Sequence, residues 1–108
     1  MTKSELFMGR NISGDKISVK KDYRITDGQI QQFLSDVVSP RFPGFTMLSG
    51  QGYWKGESED CVVLVILHEW LDEGHADKFS IEAIIDEYKQ KFHQESVLWV
   101  RSNVKSTF

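Results

Sequence analysis

Arg10, Asn11, Tyr53, Trp54 and Lys55 are the residues whose types, taken together, could do chemistry. A guanidinium that pairs with anionic oxygens and indole and phenol faces that stack on a ring suit a small aromatic anion, such as a nucleotide derivative. Arg24 lies close enough in sequence to the same strand ends to join them. The plainer reading is packing: Tyr53 and Trp54 cover a loop, while Glu57, Glu59 and Asp60 neutralise the basic side chains. A weaker second grouping is His68, Glu69, Trp70, His75 and Arg101, which brings imidazoles near a carboxylate.

Other motifs fail on spacing. Gly9-Arg-Asn-Ile-Ser-Gly14-Asp-Lys16 follows a strand, but a phosphate loop needs Lys directly after its second Gly and a helix straight afterwards. Asp15 holds the lysine position here, and the expected helix starts about ten residues later. His68-Glu69 with His75 is too widely spaced for the His-Glu-x-x-His zinc pattern, so no metal site is expected. Cys61 stands beside Glu59 and Asp60, which disfavour a thiolate, and reads as a structural cysteine rather than a nucleophile. No catalytic set is recognisable, and no cofactor is expected.

The elements that must place these residues follow from periodicity. Glu5 to Met8 reads as a first strand ending at Gly9. Arg10 to Arg24 is polar, and Ile17 and Val19 alternate with polar neighbours; a short strand, a lid, a cap or a dimer arm all remain open. Thr26 is a good N-cap with Gln29 three residues on, and Ile30, Phe33, Leu34, Val37 and Val38 form one helical stripe that Pro40 stops. Phe45 to Lys55 is strand-like, with Gly50 and Gly52 suggesting a bulge or a close backbone approach. Gly56 to Asp60 reads as an acidic turn. Cys61 to Leu67 is a β-branched run apolar on both faces. A second helix over 76–93 buries Ile81, Ile84, Ile85, Tyr88 and Phe92, and a last strand covers 96–104.

Strand, helix, strand, strand, helix, strand predicts an α+β fold: a ferredoxin-like βαββαβ sandwich with one antiparallel sheet, order 4-1-3-2, and both helices on one face. At 108 residues with neither repeat nor linker, residues 1–108 form one domain. The sheet's other face stays apolar and predicts a homodimer that covers it. Thirteen Lys and Arg against 16 Asp and Glu give a net charge of −3, which speaks against a nucleic-acid polymer as partner. The third strand also lacks the aromatic run of an RNA-recognition module. No apolar run approaches a membrane span, the start lacks a signal-peptide core, and the single cysteine suits a reducing compartment; the expected location is cytoplasmic.

Four blocks add a family resemblance. Glu5-Leu-Phe-Met-Gly-Arg10, Val38-Ser-Pro-Arg-Phe-Pro43, Gly52-Tyr-Trp54, and Tyr88-Lys-Gln-Lys-Phe92 with Gln94-Glu-Ser-Val-Leu98 resemble the domain-of-unknown-function 3574 family of small bacterial proteins, from Glu5 to Phe108. The resemblance implies no activity. It points to Arg10, Arg41, Trp54, Glu95 and Ser96 as positions matching the family pattern. Arg41, between Pro40 and Phe42, joins the ligand candidates, with loop anchoring as its alternative role. Family members often look exported or lipid-attached; this chain lacks such a start, which fits an accessory protein of a phage or mobile element.

The expectation is therefore a non-catalytic homodimer that binds, and sequesters, a nucleotide-like anionic signal through Arg10, Asn11, Arg24, Arg41, Tyr53, Trp54 and Lys55. The first alternative is a cofactor-free enzyme working in a dimeric α+β barrel cavity, with His68 or His93 as base. The second is a protein–protein interaction module that uses the apolar face.

Overall fold

The structure is a computed structural model that describes residues 1–12, 23–69 and 75–108. Ile17 and Val19, the Gly14–Lys16 stretch, Trp70 and the Asp72–Gly74 break lie outside these residues. The chain runs β1 (Thr2–Gly9), β2 (Asn11–Ile12), β3 (Tyr23–Arg24), α1 (Asp27–Phe33), β4 (Thr46–Trp54), β5 (Glu57–His68), α2 (Ala76–Lys91) and β6 (Leu98–Asn103). The fold is α+β, with a four-stranded antiparallel sheet and two helices.

The sheet order is β4-β5-β1-β6, and β2 pairs with β3 in a separate two-stranded ribbon. The expected order 4-1-3-2 counted four strands; with the ribbon there are six among the described residues, and in this numbering the order reads β4-β5-β1-β6. The ribbon forms because Arg10 bends the chain out of β1, its N–H donating to Asp60 while its carbonyl accepts from Ile25.

Alternation decides what the sheet buries. Leu6, Met8, Val62, Leu64 and Ile66 point to the helix side and are fully buried. They meet Ile30 and Phe33 of α1 and Ile81, Ile84 and Tyr88 of α2, with Phe33 and Tyr88 edge to face at 5.2 Å. Each such aliphatic side chain contributes about 1.5–3 kcal/mol by leaving water.

The helix ends are built as the sequence indicates. Thr26 accepts from the Gln29 N–H, and the Gln29 side chain accepts from the Thr26 N–H. After Phe33 the helix widens into a π turn over Leu34–Val38, closed by the Ser39 N–H on the Leu34 carbonyl at 2.9 Å. Pro40 has no N–H to carry the helix further.

Two expectations change at the β4–β5 hairpin. The register runs unbroken from Thr46↔Val65 to Trp54↔Glu57, so Gly50 and Gly52 mark no bulge. The acidic segment is not a turn: Glu57–Asp60 belongs to β5, and the reversal is the two-residue step Lys55-Gly56, with φ of 49° and 81°. Positive φ at both residues matches the twist of the strands they join.

Candidate functional site

The open face of the sheet carries a graded set of side chains. One row across all four strands is apolar: Leu48, Val63, Phe7 and Leu98. The next row is nearly bare: Gly50, Cys61 and Gly9. Beyond it stand Gly52 with Glu59, then Trp54 with Glu57. Large residues on both sides of a row of small ones leave a trough.

This trough is a groove of about 650 Å³, lined by Phe7, Gly9, Asn11, Gly52, Tyr53, Trp54, Glu57, Ser58, Glu59, Cys61 and Leu98. Its volume falls within the usual range for small-molecule sites. Trp54 stands on this face and is 76% exposed, so its ring face is available; Tyr53, 74% exposed, lies at the groove's edge with its side chain turned to the opposite face beside Gln51. The Lys55 ammonium lies 5.6 Å from the Trp54 ring centroid, and the Tyr53 hydroxyl donates to Gln51 at 3.0 Å. Glu59 leans across β1, its carboxylate above Gly9 and 3.3 Å from the Asn11 N–H. Burial, then the charges of Glu59 and Asp60, push the Cys61 thiol above its ordinary pKa, so the floor of the groove holds a neutral thiol.

Of the seven candidate ligand residues, the groove gathers Asn11, Tyr53 and Trp54. Arg10 points to the opposite face and is 3% exposed. Its guanidinium donates twice to the Ile25 carbonyl, at 2.7 and 3.1 Å, and to Asp27 at 2.8 Å. That hydrogen bond and charge hold the Asp27 carboxyl below its ordinary pKa. Arg10 follows the inward parity of Leu6 and Met8, which is the physical reason it does not meet Trp54. Arg24 pairs with Asp60 at 2.9 Å, tying the ribbon to β5. Arg41 donates to the Val37 carbonyl at 2.8 Å and reaches Glu87 at 3.4 Å, bridging the end of α1 to α2. Lys55 occupies the hairpin turn, outside the lining.

The second grouping is also a packing device. His68 is buried, with Nε2 2.7 Å from Ser4 Oγ, which accepts from the Trp99 indole N–H at 3.0 Å. His75 caps α2, its Nδ1 accepting from the Asp77 N–H. Arg101 stacks over Trp99, and His93 occupies a left-handed turn after α2. No helix among the described residues is long and apolar enough to cross a membrane.

Sequence reasoning missed Glu57 and Glu59 as groove residues because it read them as a turn. The available signal was Lys55-Gly56. A two-residue hairpin there fixes which of residues 52, 54, 57 and 59 share a face.

The fold has relatives of known structure. A phage SAM lyase in its apo state superposes with a TM-score of 0.67 at 20% identity, covering 94% of this chain and 78% of that one. A phage SAM lyase in complex with S-methyl-5′-thioadenosine gives 0.61 at 21% identity, covering 94% and 79%. At such identity the likeness shows the fold. Both neighbours are nevertheless enzymes, and this corrects the expectation of a non-catalytic sequestering binder and the leaning against an enzyme. No curated protein matches the sequence. The model of the family described as protein of unknown function DUF3574 matches residues 3–108, so the resemblance in the four blocks holds over the whole domain, and the chain belongs to that family.

Proposed function

We propose that this protein cleaves SAM, S-adenosylmethionine, and that the open-face groove is where it does so. The observation that carries the reading is the groove's composition: an aromatic face at Trp54 and carboxylates at Glu57 and Glu59, over a glycine floor. The neighbour of the same fold that holds S-methyl-5′-thioadenosine supports it. The adenine ring stacks on Trp54, and the ammonium of the methionyl end meets Glu59.

With its ammonium held by Glu59, the substrate's own carboxylate is free to attack its γ-carbon. The carbon–sulfur bond breaks, its electron pair stays on sulfur, and the products are S-methyl-5′-thioadenosine and homoserine lactone. No proton moves and no acceptor is consumed. A carboxylate and a sulfonium cancel as the ring closes, so the transition state carries less separated charge than the substrate. A water-poor site therefore accelerates the step.

The groove is open on one side, so a cover is part of the proposal. Leu48 and Leu98 are 52% and 60% exposed at either end of the apolar row. A second copy packed on this face excludes water from the groove while burying that row. Light scattering checks this directly: a dimer is expected, and Leu98→Lys should give monomers. A wild-type monomer at micromolar concentration overturns the self-association.

The chemistry is tested by incubating the purified protein with SAM at neutral pH and following nucleosides by chromatography and mass spectrometry. Release of S-methyl-5′-thioadenosine is expected, with kcat/KM reduced about a hundredfold in Glu59→Gln. Unchanged SAM in the presence of folded protein overturns the reading.

A further inference from the structure

We infer that Gly9 is a positioning residue of the groove: its lack of a side chain is what lets Glu59 lie across β1 with its carboxylate in the site. This deepens the function proposed above and rests on its assignment of Glu59 to the cationic end of the substrate.

Gly9 lies in β1, an inner strand, where glycine packs nothing and weakens the sheet. Neither ordinary reason for a glycine applies. The only described glycine at positive φ is Gly56, so residue 9 needs no special backbone freedom. Pairing continues through Gly9↔Cys61, so there is no bulge.

What remains is space. A Cβ at position 9 would stand 2.7 Å from Glu59 Oε2, and 2.9 Å from both its Cδ and its Oε1. All three are atoms of the carboxylate, so the whole group sits over the glycine. The other open-face glycines of the sheet differ: a Cβ at Gly50 meets Cys61 Sγ at 3.4 Å, and one at Gly52 meets the Glu59 carbonyl at 3.9 Å. Of these three glycines, only at residue 9 would a Cβ force the Glu59 carboxylate to move.

The strand cannot retreat to make room. Tyr88, fully buried on α2, donates its hydroxyl to the Gly9 carbonyl at 2.7 Å, and the next residue, Arg10, donates its N–H to Asp60 at 3.0 Å. The Glu59 carboxylate, held by the Asn11 N–H at 3.3 Å, is the movable partner. Gly9→Ala therefore keeps the fold and displaces the carboxylate.

The test compares wild type, Gly9→Ala, Glu59→Asp and the double variant. In Gly9→Ala, KM for SAM is expected to rise about tenfold while kcat stays within about threefold, the pattern for lost uniform binding. S-methyl-5′-thioadenosine lacks the cationic methionyl end, so its Kd should not change. Glu59→Asp, one methylene shorter, should partly restore KM when combined with Gly9→Ala. An unchanged KM in Gly9→Ala overturns the inference, as does equal weakening of SAM and thioadenosine.

A readout independent of turnover is the Asn11 amide resonance. It should follow ionisation of a carboxylate in wild type and lose that titration in both Gly9→Ala and Glu59→Gln. If wild type leaves SAM intact, the functional reading falls, and the Asn11 titration still decides the positioning.

Discussion

The two faces of this one sheet solve opposite problems. On the helix side every second residue of β1 and the inner half of β5 is buried by α1 and α2, and even the charged Arg10 is drawn in and matched to Ile25 and Asp27. On the open side the sheet presents an apolar row, a bare row and then Trp54 of β4 with the carboxylates of β5. Side chains on the first face serve cohesion, and any void there costs stability. On the second, the void is the useful feature. Adjacent residues of one strand, Leu64 and Val63, thus belong to different tasks.

The sharpest way to break this contrast is to truncate both. Leu64→Ala should destabilise the fold by about 2–5 kcal/mol, because it opens a cavity under both helices. Val63→Ala should cost the monomer no more than about 1 kcal/mol, since water already reaches that position. Urea titration of the two variants measures the difference. Equal costs would mean that the open face is as much core as the covered one.

Arg10 and Trp54 sharpen the comparison. Arg10→Ala leaves a buried carbonyl short of its donors and should cost about 1–3 kcal/mol, while leaving Kd for S-methyl-5′-thioadenosine unchanged in the folded protein. Trp54→Ala should do the reverse: little change in stability, and a loss of thioadenosine binding of about ten- to a hundredfold. Calorimetric titration of both variants decides. Weakened binding in Arg10→Ala at full folding would return Arg10 to the site.

A pH dependence separates the faces more gently. Arg10 lowers the Asp27 pKa in the folded state below its ordinary value of 3.8. The folded state therefore binds fewer protons than the unfolded one in that range. Asp27 adds stability above its unfolded pKa and loses it as the pH falls through the folded one. The stability gap between wild type and Asp27→Asn should close on acidification below about pH 4, as followed by urea titration. A gap that persists at pH 2 would show that packing, not the ion pair, makes the difference.

Much of the covered face was legible in the sequence. The Thr26–Gln29 capping box, the Ile30–Val38 stripe and the β-branched run to Leu67 are local signals, and local physics honours them. The open face depends on relations between strands. Whether Glu59 is a turn residue or a strand residue depends on two backbone dihedrals at Lys55 and Gly56, and lysine seldom occupies positive φ. Arg10 shows the opposite lapse. Its inward parity follows from Leu6 and Met8, but charge argued for an exposed ligand role and outweighed periodicity. Packing resolved it the other way, because a guanidinium that reaches two acceptors can be buried.

The smallest expected effect reads the groove's own field. Cys61 lies on the floor between Gly50 and Gly9, and its thiol is raised by burial and by the Glu59 and Asp60 charges. Only the thiolate reacts with an alkylating agent, so iodoacetamide should modify Cys61 more slowly than a free cysteine at pH 8. Glu59→Gln removes one of the two raising charges and should speed the reaction about twofold to threefold. S-methyl-5′-thioadenosine, seated above the thiol, should slow it again by covering it. Mass spectrometry of the modified chain over time follows all three. If Glu59→Gln leaves the rate unchanged and the nucleoside gives no protection, the carboxylate and the ligand are both somewhere other than this trough. Protection without a charge effect would keep the ligand there and move only Glu59. The single thiol thus distinguishes a groove that merely exists from one whose charge is placed to meet a substrate.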